Sequence, residues 1–156
     1  MAVDTRNVKG RRELHFANYG QLLDDVHTLA AGPTRPLGNW SLGQILQHLA
    51  KAMNMAIDGP PFKPAWIVRM LGPFFKNRVI SRPMSPGFRL PKNGAALIPA
   101  ESDVAAGVAA IEKAVARLEQ NPDRKPHFVF GPMTRDEWDQ LQFRHAEMHL
   151  SFITPE

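Results

Sequence analysis

Residues 127–153 read HFVFGPMTRDEWDQLQFRHAEMHLSFI, and this stretch decides the fold that the sequence predicts. Thr134 followed three residues later by Glu137 is a capping box, in which each side chain satisfies a backbone donor that the first helical turn leaves unpaired. A helix is therefore expected from about Thr134. Its apolar stripe, at the i, i+3, i+4, i+7 spacing of one buried face, consists of Trp138, Leu141, His145, Met148, His149 and Phe152.

Two histidines, His145 and His149, lie one helical turn apart near the middle of that stripe. They are either core histidines bonded to carbonyls or neighbours, or ligands of one metal ion. Four ring nitrogens need partners where water is scarce, and a shared metal satisfies two of them at once, so the pattern favours a metal site. Ala146 in place of glutamate excludes the zincin motif. Glu147 falls on the opposite face and is expected to meet solvent.

Length and composition predict one globular domain over residues 1–156. The chain is 44% apolar and 22% charged, which excludes disordered and fibrous classes. It has no cysteine, so any metal must be held by imidazole or oxygen, and any reacting thiol must come from another molecule. The net charge of +4, from scattered basic residues, is too small to indicate a nucleic-acid partner.

The N-terminal region lacks the pattern of an export signal. Arg11 and Arg12 are followed by Glu13, Asp24 and Asp25 instead of an uncharged apolar stretch. We therefore expect a cytoplasmic protein, with a loose polar tail over residues 1–10.

Apolar periodicity predicts four helices, near residues 13–31, 41–57, 102–121 and 134–153. The second begins at another capping box, Ser41 with Gln44. Because no convincing strand pattern accompanies them, the fold class expected is all-α, a four-helix bundle with an irregular, proline-rich middle insertion. His48 lies on the shoulder of the second stripe and, taken alone, is expected to be exposed. His15 and His27 are expected to be exposed as well.

The insertion, residues 60–99, contains a broken amphipathic helix around Gly72 and Pro73, because proline interrupts helices. Its charges and short length exclude a membrane span. Contact with a membrane interface is an open alternative, but a cover or a dimer surface is the commoner use of such a segment, and no membrane partner is expected. It is expected to cover the core or to form the surface of a homodimer. Residues 82–99 are expected to form an ordered loop that lines a site.

The motifs NWSLGQILQHLA and RHAEMHL resemble those of the DinB-like superfamily of metal-binding four-helix bundles. HFVFG, TRDEW and the histidine pair further resemble a branch of it known only as a domain of unknown function, and the resemblance runs over nearly the whole chain. It implies that His48, His145 and His149 hold one divalent metal. The branch tends to carry proline after the histidine of the loop before the last helix, whereas here Phe128 follows His127.

Three imidazoles leave a coordination position open, as in catalytic sites, and Zn²⁺ or Ni²⁺ suits such ligands. The relatives implied by the resemblance include S-transferases and isomerases that use low-molecular-weight thiols. A small-molecule substrate and a thiol cofactor are therefore expected, with Arg82, Arg89 and His127 as candidate substrate-binding residues. The alternatives are a metal-dependent hydrolase, a metal-binding or stress-response module without catalysis, and a purely structural bundle.

Overall fold

The computed structural model describes residues 2–60, 66–87 and 97–156. Within these ranges the chain is mostly helical, which confirms the helical class, and it also has a small antiparallel sheet. The elements are, in chain order, α1 (Tyr19–Ala30), β1 (Thr34–Pro36), α2 (Leu42–Asp58), α3 (Trp66–Ile80), α4 (Val104–Gln120), α5 (Arg135–Leu150) and β2 (Ile153–Pro155).

Both predicted capping boxes are present at the starts of α2 and α5. Ser41 Oγ accepts from the Gln44 N–H, and Thr134 Oγ1 accepts from the Glu137 N–H. In each box the glutamine or glutamate side chain in turn accepts from the N–H of the cap residue. The helices that carry the histidines therefore begin within one residue of their predicted positions.

Helix α1 begins at Tyr19, later than the predicted start near residue 13, because Asn18 caps it. The preceding residues run along α5 instead, and the backbone N–H of Phe16 donates to the Glu147 carboxylate at 2.6 Å. The apolar spacing before Asn18 thus reflects packing against another helix.

Helices α1, α2, α4 and α5 bury their apolar faces in one shared core. Each large aliphatic side chain buried there stabilises the fold by about 1.5–3 kcal/mol. Helix α2 and the segment that leads into α4 approach closely at Gly43, where a Cβ atom would lie 2.2 Å from the Ser102 carbonyl oxygen. Any side chain at this position would push α4 away from α2.

The sheet joins the segment after α1 to the segment after α5. Strands β1 and β2 pair with Arg35 opposite Thr154, and Leu37 N donates to Phe152 O at 2.8 Å beside them. The sequence does not predict this sheet, because two strands of three residues are too short to show an alternating apolar pattern.

Helix α3 continues through Pro73, where the sequence predicts a break. On one side of the proline, Gly72 is packed so closely that a Cβ atom would lie 1.9 Å from the Val129 carbonyl oxygen. On the other side, Lys76 Nζ forms an ion pair with Glu137 at 2.6 Å. Contacts on both sides hold the helix against the body of the protein despite the hydrogen bond that proline removes.

Helix α3 covers the core only at its C-terminal end, where the partly buried Val79 and Ile80 pack against it. Gly72 is its one buried residue. The large apolar side chains of the rest of the helix are exposed, among them Trp66, Ile67, Met70, Leu71, Phe74 and Phe75. Among the described residues, no helix combines the length and the apolar character needed to cross a membrane.

Two predicted irregular segments are described only in part. In the N-terminal tail, Val3 exchanges two hydrogen bonds with the Asn39 side chain, at 2.7 and 2.9 Å. Within the predicted loop over residues 82–99, residues 88–96 lie outside the described ranges.

Candidate metal centre

Three histidine rings from two helices meet at one point. His48 is on α2, and His145 and His149 are on adjacent turns of α5. The Nε2 atom of His145 lies 3.2 Å from that of His48 and 3.0 Å from that of His149. One ring nitrogen of each residue lies within 4.8 Å of the others. These are the three residues that the resemblance implies as metal ligands.

His48 is buried, with 4% of its surface exposed, although its place on the helical stripe predicts exposure. Its Nδ1 lies 2.8 Å from the carbonyl oxygen of Leu97. Because a carbonyl only accepts, Nδ1 carries a hydrogen, and a neutral His48 ring then presents a lone pair at Nε2. Metal-binding histidines commonly donate their second ring N–H to a carbonyl in this way.

The three rings are held in the neutral form. Burial lowers the pKa of His145 to about 3, and positive charge on His48 or His127 acts in the same direction. Burial also lowers the pKa of His149 well below its ordinary value, and that of His48 to a smaller extent. Neutral imidazole is the form that binds a metal, so ligand nitrogens are available at neutral pH.

Hydrogens alone cannot satisfy both Nε2 contacts of His145. If its Nε2 carries a hydrogen, it can donate to His48 or to His149, and the other contact is left without a hydrogen bond. If its Nε2 carries none, His149 can donate to it, but then two lone pairs face each other across the 3.2 Å contact with His48. A single cation that accepts all three lone pairs removes this conflict.

Two of the separations between the three nitrogens fit a common metal. Two ligands about 2.05 Å from one Zn²⁺ ion at a tetrahedral angle are about 3.3 Å apart. The two Nε2 separations of His145, 3.2 and 3.0 Å, are close to this value. Imidazole nitrogen also suits Ni²⁺, so the residues fit either of the expected metals.

Trp40 forms a wall of the cluster that the helical stripes do not predict. Its ring stacks on His149, with centroids 5.4 Å apart and planes 14° apart, and lies 5.0 Å from the His48 ring. Trp40 immediately precedes the N-cap Ser41, so a hydrophobic-staple pattern points to packing on the first turn of α2. The hydrophobic-staple pattern does not predict that Trp40 also contacts His149.

The cluster is supported from behind by a buried ion pair. Glu147 was expected to face solvent, but that prediction is wrong, since it is 7% exposed and pairs with Arg144 at 2.7 Å. Arg144 also donates to Phe16 O at 3.1 Å. The N-terminal segment that includes Phe16 covers this face of α5, and a helical period calculated for α5 alone cannot reveal that cover.

Of the two predicted arginines, only Arg82 lies within the described residues, and no contact with the histidines is found for it there. Arg82 is exposed in the turn after α3, and Arg89 lies outside the described residues. A different basic residue, Arg11, acts on the cluster, because its charge contributes to the lowered pKa of His149. Its Nη2 donates to Ser151 Oγ at 2.7 Å, which holds the guanidinium beside the end of α5.

His127 closes the turn of the HFVFG stretch. Its Nδ1 accepts from the backbone N–H groups of Val129 and Phe130, at 3.1 and 3.2 Å. The ring stacks on Phe130 and meets the edge of Trp138. One nitrogen of His127 is therefore committed to the turn, and only Nε2 remains to meet a substrate.

Acid is expected to destabilise the metal-free protein through His127. Burial lowers its pKa from 6.5 to about 4, so between these values the unfolded chain binds a proton that the folded chain does not. Stability is then lost as pH falls through this window, by about 2 kcal/mol from pH 6.5 to pH 5. Urea unfolding at the two pH values measures the loss. A His127→Gln variant should lose less stability, and an equal loss in both proteins would contradict the assignment.

A protein family model matches almost the whole chain. The family described as protein of unknown function (DUF1569) matches residues 8–156, which is nearly the whole chain and includes the three histidines. No curated protein and no solved structure matches the chain. The chain therefore belongs to the DUF1569 family of proteins of unknown function.

Proposed function

We propose that this protein is a metal-dependent enzyme of the DinB-like superfamily that transfers a small thiol to an electrophilic substrate. His48, His145 and His149 would hold one divalent metal, Zn²⁺ or Ni²⁺. The observation that carries the proposal is the convergence of three neutral imidazoles whose Nε2 contacts hydrogens alone cannot satisfy.

The architecture supports the superfamily assignment. Helices α1, α2, α4 and α5 share one core, as the helices of a four-helix bundle do, while α3 touches it only through the partly buried Val79 and Ile80. The ligands come from the second and the last of these four helices, which is the arrangement that the resemblance implies.

Neighbouring residues hold the three histidine rings in the orientation that metal binding would need. The Leu97 carbonyl orients His48 so that its Nε2 lone pair faces the other two rings. Trp40 stacks on His149 and keeps water from that side of the ring. Arg11 is positioned by Ser151 and supplies a positive charge near His149 that can attract an anionic thiol.

With three protein ligands, a bound divalent metal would have an open position at which it lowers the pKa of a thiol. In the transfer, the S–H proton goes to solvent and the sulfur forms a bond to an electrophilic carbon. The bond from that carbon to its leaving group breaks, and the chloride departs with the electron pair or, in an epoxide, the ring oxygen keeps the pair and takes a proton from solvent. Arg11 would neutralise the negative charge of the thiol cofactor while it is bound.

Metal-dependent consumption of a thiol is the expected result when metal-loaded protein is incubated with an aromatic chloride or an epoxide and a panel of small thiols. His145→Ala is expected to lower the rate by at least about 100-fold, because even changes behind a metal ligand reduce activity by about 10- to 100-fold. His27→Ala is the matched control, since its ring is exposed and pairs with Glu112 at 2.7 Å.

Equal rates in the wild type and His145→Ala across the panel would exclude the transferase. Elemental analysis of protein purified without a histidine tag then separates the alternatives. Bound metal with ester or amide hydrolysis would identify a hydrolase, and bound metal without turnover a binding module. Protein that binds no metal would leave the histidines as core residues.

A further inference from the structure

Helix α3 presents a broad apolar surface to its surroundings. Trp66 and Phe74 are 72% and 82% exposed, and Met70 and Phe75 are more than half exposed. By the helical period, the exposed apolar positions span about 200° of the helix circumference. Gly72 and Lys76 lie on the remaining side and contact the body of the protein. The helix is thus held with its apolar face outward, and large exposed apolar patches mark interaction sites.

Positive charge is concentrated in the same segment. Residues 59–100 contain seven lysines and arginines and no acidic residue, whereas the rest of the chain has 12 basic residues against 15 acidic ones. Arg69, Arg78 and Arg82 in and after α3 are exposed. The described part of this segment, residues 66–87, therefore combines exposed apolar side chains with exposed arginines, while the rest of the chain outside residues 59–100 has a net charge of −3.

We propose that α3 docks this protein on an anionic membrane surface, with its axis parallel to the bilayer. Tryptophan, phenylalanine and leucine on one face with lysine and arginine beside them are the composition of helices that lie at the lipid interface. Each basic residue near an anionic leaflet adds attraction, which decays within a Debye length. This contact differs from the membrane span that the sequence excludes, and it does not depend on the metal.

A second copy of the chain fits the same surface less well. Two α3 faces brought together would place Arg78 of each copy, which the helical period puts within the apolar face, opposite a segment that also lacks acidic residues. Like charges in contact oppose such an interface. An anionic bilayer accepts both the apolar side chains and the charges.

Sedimentation with lipid vesicles tests the proposal on the full chain. Binding is expected to vesicles of phosphatidylcholine and phosphatidylserine in equal parts, to weaken with salt, and to be much weaker with phosphatidylcholine alone. Exchanging both arginines, Arg69→Gln with Arg78→Gln, is expected to reduce the partition coefficient about 30-fold. The apolar double variant, Trp66→Ser with Phe74→Ser, is expected to reduce it at least about 100-fold.

Val3→Ser is the matched control, because Val3 is an exposed apolar residue outside α3 and bonds to Asn39 only through its backbone. Trp66 gives a second readout, since its emission should shift to the blue when the vesicles are added. Equal binding to the neutral and anionic vesicles, or binding to neither, overturns the proposal. So does a wild-type dimer that the Trp66→Ser, Phe74→Ser variant converts to a monomer, because a second copy would then cover the face.

Discussion

Replacing His149 with alanine is expected to weaken Zn²⁺ binding by more than about 100-fold while the helices remain folded. The change removes one of three converging nitrogens, and altering groups that merely support a ligand already weakens binding about 10- to 100-fold. The fold should persist, since a site with an open position contributes less to folding than a closed structural site. Titration against a competing chelator measures the affinity, and circular dichroism the helices.

Trp40 gives this experiment a second readout that is independent of activity. Its ring lies 5.4 Å from that of His149, so a bound paramagnetic Ni²⁺ ion should quench its emission in the wild type and much less in His149→Ala. His27→Ala, which removes an exposed histidine, should behave as the wild type does. Unchanged metal affinity in His149→Ala would show that the cluster is not the metal site.

Replacing Glu147 with alanine is expected to lower the free energy of unfolding by about 3–5 kcal/mol, because it leaves a buried charge without its partner. Arg144 would lose its 2.7 Å ion pair, and the Phe16 N–H would lose its acceptor. Urea unfolding of the metal-free protein at neutral pH measures the change without any contribution from bound metal.

The matched control is Glu112→Ala, which removes a carboxylate from the exposed pair with His27 and should cost less than about 1 kcal/mol. Changing both partners, Arg144→Met with Glu147→Leu, should recover part of the loss, because no buried charge is then left alone. Recovery should be incomplete, since the Phe16 N–H still lacks an acceptor. If Glu147→Ala costs no more than Glu112→Ala, the buried pair does not stabilise the fold.

Short sequence patterns predict those parts of the fold that depend on interactions between residues a few positions apart. The capping boxes at Ser41 and Thr134 place the starts of α2 and α5, because the bonds that define them join residues three apart. The one-turn spacing of His145 and His149 likewise predicts that both rings lie on one side of α5. The partner that these two rings contact comes from α2. The family resemblance indicated that this partner is His48, whereas the helical periodicity of α2 did not.

The predictions that fail depend on segments distant in sequence. Glu147 is buried because residues near Phe16 cover the face of α5 that its own apolar stripe leaves open. Helix α3 persists through Pro73 because Val129 and Glu137 hold it on both sides. Neither contact changes the spacing of apolar residues along its helix. The sequence of α3 or of α5 taken alone therefore cannot predict these contacts.

For a metal ion held by the three histidines as proposed, the pairing of β1 with β2 would slow its release. The last turn of a helix ordinarily frays, and a ligand placed there would detach with it. Here Leu37 N bonds to Phe152 O just beyond α5, and the Arg12 side chain donates to the carbonyl oxygens of Leu150 and Ile153. Freeing His149 therefore requires the sheet and these contacts to open together. The dissociation rate of the proposed metal ion would then measure how often this cooperative opening occurs.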